Sequence, residues 1–241
     1  MGMKQVLVMM VAVVLVGCGE KAASPTPKSE PKIPAPSQAA EAEAQVIPTP
    51  SPDPVSAADE KLIVDPFVEK AVRESLEKPE GEITEADLEK VTGLNLFRIK
   101  ITGEGLEEVV KFQKLKRLWL TDTQTSDEVL KEVAKLQELN DLNLGITKIT
   151  DEGLREVAKL QKLEKLVLAN TQITDTGLKE VAKLQNLRNL HLSFTQITDT
   201  GLKELAKLWK LEVIHLFHTK ATKAGLDELK KALPNCRIYG P

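Results

Sequence analysis

The thiol and imidazole groups of this 241-residue sequence, suited to nucleophilic, acid–base or metal chemistry, number five: Cys18, Cys236, His191, His215 and His218. A thiolate or a neutral imidazole acts as nucleophile, general base or metal ligand according to its neighbours. The spacing here supports little of that. Cys18 and Cys236 stand near opposite ends of the chain and make no disulfide framework. A structural zinc site needs four clustered ligands, and the sequence offers no such cluster. His191 and His215 lie 24 residues apart with His218 close behind, so a histidine metal site remains one alternative. No phosphate-cradling glycine loop, Gly-x-Ser-x-Gly elbow or His-Glu-x-x-His helix occurs. Acidic pairs are abundant, but they sit among lysines on stretches that read as solvated helix faces. The expectation is therefore a protein that is not an enzyme and uses no cofactor. Lys and Arg number 33 against 36 Asp and Glu, and a net charge of −3 gives no basic excess to attract nucleic acid.

Cys18 has a different kind of chemistry in its surroundings. Lys4 precedes an unbroken apolar run from Val6 to Val16. That run falls short of the roughly 20 residues a membrane-spanning helix needs, and it suits the apolar centre of a signal peptide. It ends in Leu15-Val16-Gly17-Cys18, which resembles the lipobox of bacterial lipoproteins. The resemblance implies cleavage before Cys18 and acylation of its sulfur and new amino group. More than one acyl chain gives stable attachment, since each buried CH₂ contributes about 0.8 kcal/mol. Gly19, where an aspartate would resemble an inner-membrane retention signal, implies an outer membrane where one exists and otherwise the cell surface. Residues 1–17 are thus expected to be signal peptide. Nine of the thirteen prolines then fall between Pro25 and Pro54, among Ala, Ser, Thr and Glu. Residues 18–60 cannot bury enough apolar surface to offset the entropy of ordering, and read as a disordered stalk.

The remainder is repetitive. The stretch opening at Ile149 returns 24 residues later from Ile173 and again from Ile197, with weaker copies from Ile101, Thr125 and Ala221. One unit carries Leu160, Leu163, Leu166, Leu168, Thr171 and Ile173; the next carries Leu184, Leu187, Leu190, Leu192, Thr195 and Ile197. The spacing resembles the leucine-rich repeat, with threonine where many members have asparagine or cysteine. The alternation Leu190-x-Leu192 suits a short strand burying one face. Leu202, Leu205, Ala206 and Leu208 make one helical stripe, which Thr198 and Asp199 open as cap and first-turn acid. Neither element can bury its apolar side alone, so the copies must stack. The expected fold is α/β: a right-handed solenoid with a parallel concave sheet and convex helices over residues 94–241. A helical N-terminal cap over 61–93 would use Leu62, Ile63, Val64, Phe67, Val68, Val72 and Leu76. At the far end, Leu233 to Ile238 is expected to replace a seventh strand, with Cys236 as a small buried hydrophobe.

Thr123, Thr147, Thr171, Thr195 and Thr219 should form a column whose hydroxyls satisfy turn backbone. Gly105, Gly153, Gly177, Gly201 and Gly225 form a second column, which Val129 interrupts. With this register, four outward columns follow. The first runs Gly93, Arg117, Asp141, Lys165, Asn189, Val213; the second Asn95, Trp119, Asn143, Val167, His191, His215. The third holds Phe97 and Phe217, and the fourth Arg98, Asp122, Ile146, Asn170, Phe194, His218. These positions collect four of the eight aromatics and all three histidines. Solenoids bind through this face, and aromatic anchors dominate interfaces. The candidate partner-binding residues are Phe97, Arg117, Trp119, Asp141, Asn143, Lys165, Asn189, His191, Phe194, His215, Phe217 and His218. Neighbouring imidazoles resist joint protonation, so binding would respond to pH between about 5 and 8. The expected function is a lipid-anchored binding module of the bacterial envelope, holding a protein partner or a glycan. A mainly structural envelope element, contacting another copy or the cell wall, is the rival.

Overall fold

The computed structural model of the protein describes residues 61–101 and 103–240. The signal peptide, Cys18 and the stalk lie outside the described residues. The elements run in strict alternation after a short helical entry. α1 (Pro66–Ser75) and α2 (Glu85–Leu88) precede β1 (Gly93–Asn95), α3 (Gly103–Val109), β2 (Arg117–Trp119), α4 (Asp127–Val133), β3 (Asp141–Asn143) and α5 (Asp151–Val157). β4 (Lys165–Val167), α6 (Asp175–Val181), β5 (Asn189–His191), α7 (Asp199–Leu205), β6 (Val213–His215), α8 (Lys223–Ala232) and β7 (Arg237–Tyr239) follow. The strands form one parallel sheet in sequence order. Each pairing joins residues one repeat apart, Leu118 to Leu142 and Leu142 to Leu166 among them. A parallel crossover of this kind is right-handed in nearly all folds.

Every strand is three residues long, and its central side chain faces inward. Leu118, Leu142, Leu166, Leu190 and Ile214 are fully buried. The second leucine of each motif, such as Leu144 or Leu168, and the helical Leu178, Val181, Leu154 and Val157 fill the same layer. One core cluster runs without interruption from Ile63 to Cys236. The outer helix faces carry Glu–Lys pairs such as Glu156–Lys159 at 2.7 Å and Glu180–Lys183 at 2.6 Å.

Two side-chain ladders tie the turns together. Thr123, Thr147, Thr171 and Thr195 each donate a hydroxyl to the carbonyl three residues earlier at 2.6 Å, and Thr219 does so at 2.9 Å. The second ladder links repeats. The Asp127 carboxylate accepts from the Thr150 backbone N–H at 2.8 Å and from its hydroxyl at 2.6 Å. Asp151 holds Thr174, Asp175 holds Thr198 and Asp199 holds Thr222 in the same way. For Asp199 the Thr222 hydroxyl and then its N–H pull the carboxyl pKa down. So Asp199 does more than complement its own helix.

The glycine column makes room for these carboxylates. A Cβ at Gly153, Gly177, Gly201 or Gly225 would stand 2.1–2.4 Å from the preceding aspartate's Oδ1. Val129 is admissible because the aspartate position of the preceding repeat, one repeat before Asp127, is Gly103 and brings no carboxylate to accommodate. Its helix correspondingly lacks a side-chain cap bond at Ser126.

The cap is helical as expected, with two differences. Val68, Ala71 and Val72 of α1 and Ile63 before it are buried, whereas Val64 is 70% and Phe67 47% exposed. The helix begins only at Pro66, capped by Asp65, so Val64 falls outside the helical stripe. Glu108 of α3 accepts from the backbone N–H of Val64 at 2.7 Å and Asp65 at 3.0 Å, fastening the cap to the first repeat. At the C-terminal end, the segment expected to replace a seventh strand instead forms β7, paired in register with β6. The Cys236 side chain is buried there and its thiol pKa is raised by that burial.

Candidate binding face

The pairing register places the first column as Gly93, Arg117, Asp141, Lys165, Asn189 and Val213, and extends it to Arg237. Lys165 Nζ reaches Asp141 Oδ2 at 3.1 Å, while the buried Asp141 Oδ1 has no hydrogen-bond partner among the described residues. The second column holds Asn95, Trp119, Asn143, Val167, His191 and His215, and gains Tyr239 from β7. Asn95 and Asn143 turn their Oδ1 atoms to the backbone N–H two residues on, at 3.1 and 3.0 Å, so part of each amide serves its own turn.

Because the strands end after three residues, the outer two columns sit on the turns that follow. The fourth column, Arg98, Asp122, Ile146, Asn170, Phe194 and His218, is left-handed throughout, with φ from 54° to 61°. L-residues other than Asn and Asp reach this region at a cost of about 1–2 kcal/mol. The turn geometry lifts these side chains outward: Ile146 is 47% and Phe194 55% exposed.

The aromatic groups meet at the C-terminal end. His191 and His215 have ring centroids 4.0 Å apart, and Tyr239 stacks on His215 at 4.8 Å with an interplanar angle of 14°. Phe194 stacks on His218 at 4.3 Å, and Phe217 lies 6.5 Å from His215. Phe97 and Trp119 sit apart from this group, near β1 and β2, where Arg98 lies 4.9 Å over the Phe97 ring and pairs with Asp122. The twelve expected residues therefore divide into an N-terminal set of Phe97, Arg117 and Trp119, a central set of Asn143 with the Asp141–Lys165 pair, and a C-terminal set of Asn189 with the aromatic cluster.

Burial, the His215 ring and the Lys165 charge together lower the His191 pKa to about 4, and burial lowers that of His215. The expected pH response between 5 and 8 is thus moved towards acid for this pair: His191 stays neutral across that range. Lys165 is the charged neighbour of His191, and the rungs of β5 to β7 carry no carboxylate on this face. Among the described residues no three or more His, Cys, Asp or Glu side chains gather where they could hold a metal ion.

Three exposed residues were outside the sequence-based site. Tyr239 lies 24 residues beyond His215, so one more rung of the same count reaches it. Ile146 was placed in its column, and its left-handed exposure gives it weight. Trp209 stands where Gln113, Gln137, Gln161 and Gln185 tie down helix ends by donating to a carbonyl. It is 70% exposed, away from the sheet, with Lys210 Nζ 5.0 Å from its ring. A hollow of about 470 Å³ outside α1 is lined by Glu69, Lys70, Arg73, Glu74, Glu77 and Pro79. There the Lys61 and Arg73 hydrogen bonds lower the Glu69 pKa, as in a solvated ion-pair network.

Residues 159–182 and 183–206 each match the leucine-rich repeat family. Internalin C2 of Listeria monocytogenes is similar in structure, with 26% identity and a TM-score of 0.56 over 72% of this chain and 82% of that one. A leucine-rich-repeat protein of Leptospira interrogans shows 26% identity and a TM-score of 0.50, over 66% of this chain and 39% of its own. Internalin F of Listeria monocytogenes, at 21% identity and a TM-score of 0.53, shares the fold over 73% of this chain and 55% of its own. The chain thus spans about half of internalin F and two fifths of the Leptospira protein. No curated protein matches the sequence. The fold is a leucine-rich-repeat solenoid, an architecture that usually serves protein interaction.

Proposed function

We propose that the chain is a lipid-anchored protein-binding module of the bacterial cell envelope that recognises its partner on the concave sheet face, centred on β5 to β7. The observation that carries this reading is the ladder His191–His215–Tyr239 flanked by Phe217 and the Phe194–His218 stack. Phe194, Phe217 and Tyr239 remain 55%, 43% and 41% exposed. Rings that are already stacked lose little side-chain entropy on binding, and removing such surface from water contributes roughly 25 cal/mol per Å². The neutral His191 imidazole adds hydrogen-bonding groups at low desolvation cost. No carboxylate opposes a partner that is itself acidic or polar.

Anchoring rests on Leu15-Val16-Gly17-Cys18, and the proline-rich 18–60 segment would hold the solenoid off the lipid, by up to about 120 Å if fully extended. Among the described residues no helix is long and apolar enough to cross a membrane. Similarity to Listeria and Leptospira proteins supports a bacterial setting.

The test has two arms. Replacing Phe194, His215 and Phe217 together by Ala should abolish capture of a defined envelope protein while the melting temperature stays within a few degrees. Capture that survives moves the epitope to the patch around Phe97 and Trp119. Cys18→Ser should divert processing and shift the protein out of the detergent phase; unchanged partitioning removes the lipid anchor.

A further inference from the structure

The geometry points to a carboxylate-binding cavity at the opposite end of the sheet face, suited to the free C-terminus of a short peptide whose last side chain is apolar. It rests on reading this face as a binding surface, but on a different part of it from the β5–β7 ladder. The cavity, about 340 Å³, opens where α1 meets β1 and β2. Small-ligand sites commonly begin near that size, roughly 300 Å³. The 38%-exposed Trp119 ring gives it an apolar wall, and the buried Ala71 of α1 and Leu94 of β1 lie behind its lining.

Beside the Glu74 carboxylate at the rim, donor side chains in the lining are left over, those of Arg117 and Asn95. A Cβ at Gly93 would stand 3.3 Å from Arg117 Nε and 3.4 Å from Nη2, so the guanidinium lies across the one first-column residue that has no side chain. Arg117 has no side-chain hydrogen bond or ion pair among the described residues. Its register neighbour Asp141 is held by Lys165 instead. Asn95 uses its Oδ1 on the Phe97 N–H, which leaves its amide N–H groups available. Ser75 donates its hydroxyl to the Gly93 carbonyl at 2.7 Å, fixing α1 against β1 at the cavity edge.

A carboxylate matches this set. A guanidinium fork pairs with its two oxygens, and Asn95 can serve a remaining lone pair. Glu74 lines the rim, 4.0 Å from Lys70, and its charge disfavours a phosphate dianion more than a single carboxylate. Trp119 offers a flat apolar wall, which suits an apolar side chain better than a hydroxyl-covered uronic acid.

Isothermal titration of the full-length chain with acetyl-Ala-Ala-Leu, its C-terminal amide and sodium glucuronate tests the assignment. The free acid should bind, and the amide should bind about tenfold or more weakly, as should the acid to Arg117→Gln. Gly93→Ala, whose Cβ would stand 3.3 Å from Arg117 Nε and crowd the guanidinium, should weaken binding less than Arg117→Gln does; melting curves verify that both variants fold. The triple Phe194, His215 and Phe217 variant should bind the acid as wild type does, so failure at one end of the face is told apart from failure at the other. Equal binding of acid and amide, full binding by Arg117→Gln, preference for glucuronate, or no binding of the acid would each overturn the proposal.

Discussion

Ile146 holds a φ of 57° with a β-branched side chain that is 47% exposed, so it combines backbone strain with little burial to offset it. Asparagine occupies the same turn one repeat later, at Asn170. Ile146→Asn is therefore expected to stabilise the protein by about 1 kcal/mol, read as a higher denaturant midpoint with an unchanged slope. A lower midpoint would mean that the Ile146 side chain packs in a way its exposure does not indicate. His191 gives a second residue-level expectation. Its pKa is near 4 in the folded protein and 6.5 is its unperturbed value, so below pH 6.5 the unfolded chain takes up a proton that the folded chain does not. The stability is complete above pH 6.5 and declines as the pH falls towards 4. His215 acts in the same direction, since burial lowers its pKa too, and Lys165 is the cation facing the pair. His191→Gln should flatten the melting-temperature profile between pH 6.5 and 5, above the range of ordinary carboxylates. An unchanged slope in that variant would place the titration elsewhere.

The repeat unit is held at the level of its elements by a trio: an aspartate at one helix start, the next repeat's threonine cap, and the glycine that clears the carboxylate. At Gly177 a Cβ would lie 2.4 Å from Asp151 Oδ1 and 2.8 Å from Leu154 Cδ1. Asp151 cannot withdraw without losing both bonds to Thr174. Gly177→Ala should then cost about 1–3 kcal/mol, and Asp151→Ala about 1–2 kcal/mol through its lost hydrogen bonds. The double variant should cost less than the sum, because removing the carboxylate removes the larger clash. The Gly103–Val129 pair already shows that combination in the native chain. A denaturation cycle measures the coupling, and strict additivity would say that clearance is not what the glycine supplies.

Across the whole molecule, stability comes from stacking, since each repeat buries its leucines only against its neighbours. Leu166 is fully buried in β4 between Leu142 and Leu190. Leu166→Ala should cost roughly 2–5 kcal/mol in a chemical melt. A loss below about 1 kcal/mol would contradict the inward register of that strand. The two ends are closed differently. α1 is fastened through Glu108, whereas β7 ends the sheet with Tyr239 on the binding face and Cys236 in the core.

The sequence by itself determined the period, the inward leucines and the outward columns. A 24-residue spacing carries the register covalently, and a leucine at a fixed place in each unit has one apolar layer to enter. The threonine hydroxyl bonds were legible for the same reason, being local to one turn. Tertiary structure decided what depends on contacts between repeats. The reason for the glycine column, and for its gap at Val129, appears only when the aspartate of the preceding unit is in place. Val64 and Phe67 reached the surface because a helix start, fixed by Asp65 and Pro66, sets which residues share its buried stripe. The left-handed turn column, the seventh strand with Tyr239 on His215, and Arg117 lying over Gly93 also follow from backbone angles and side-chain directions. Residue spacing states which side chains are neighbours; only the folded geometry states which way they turn.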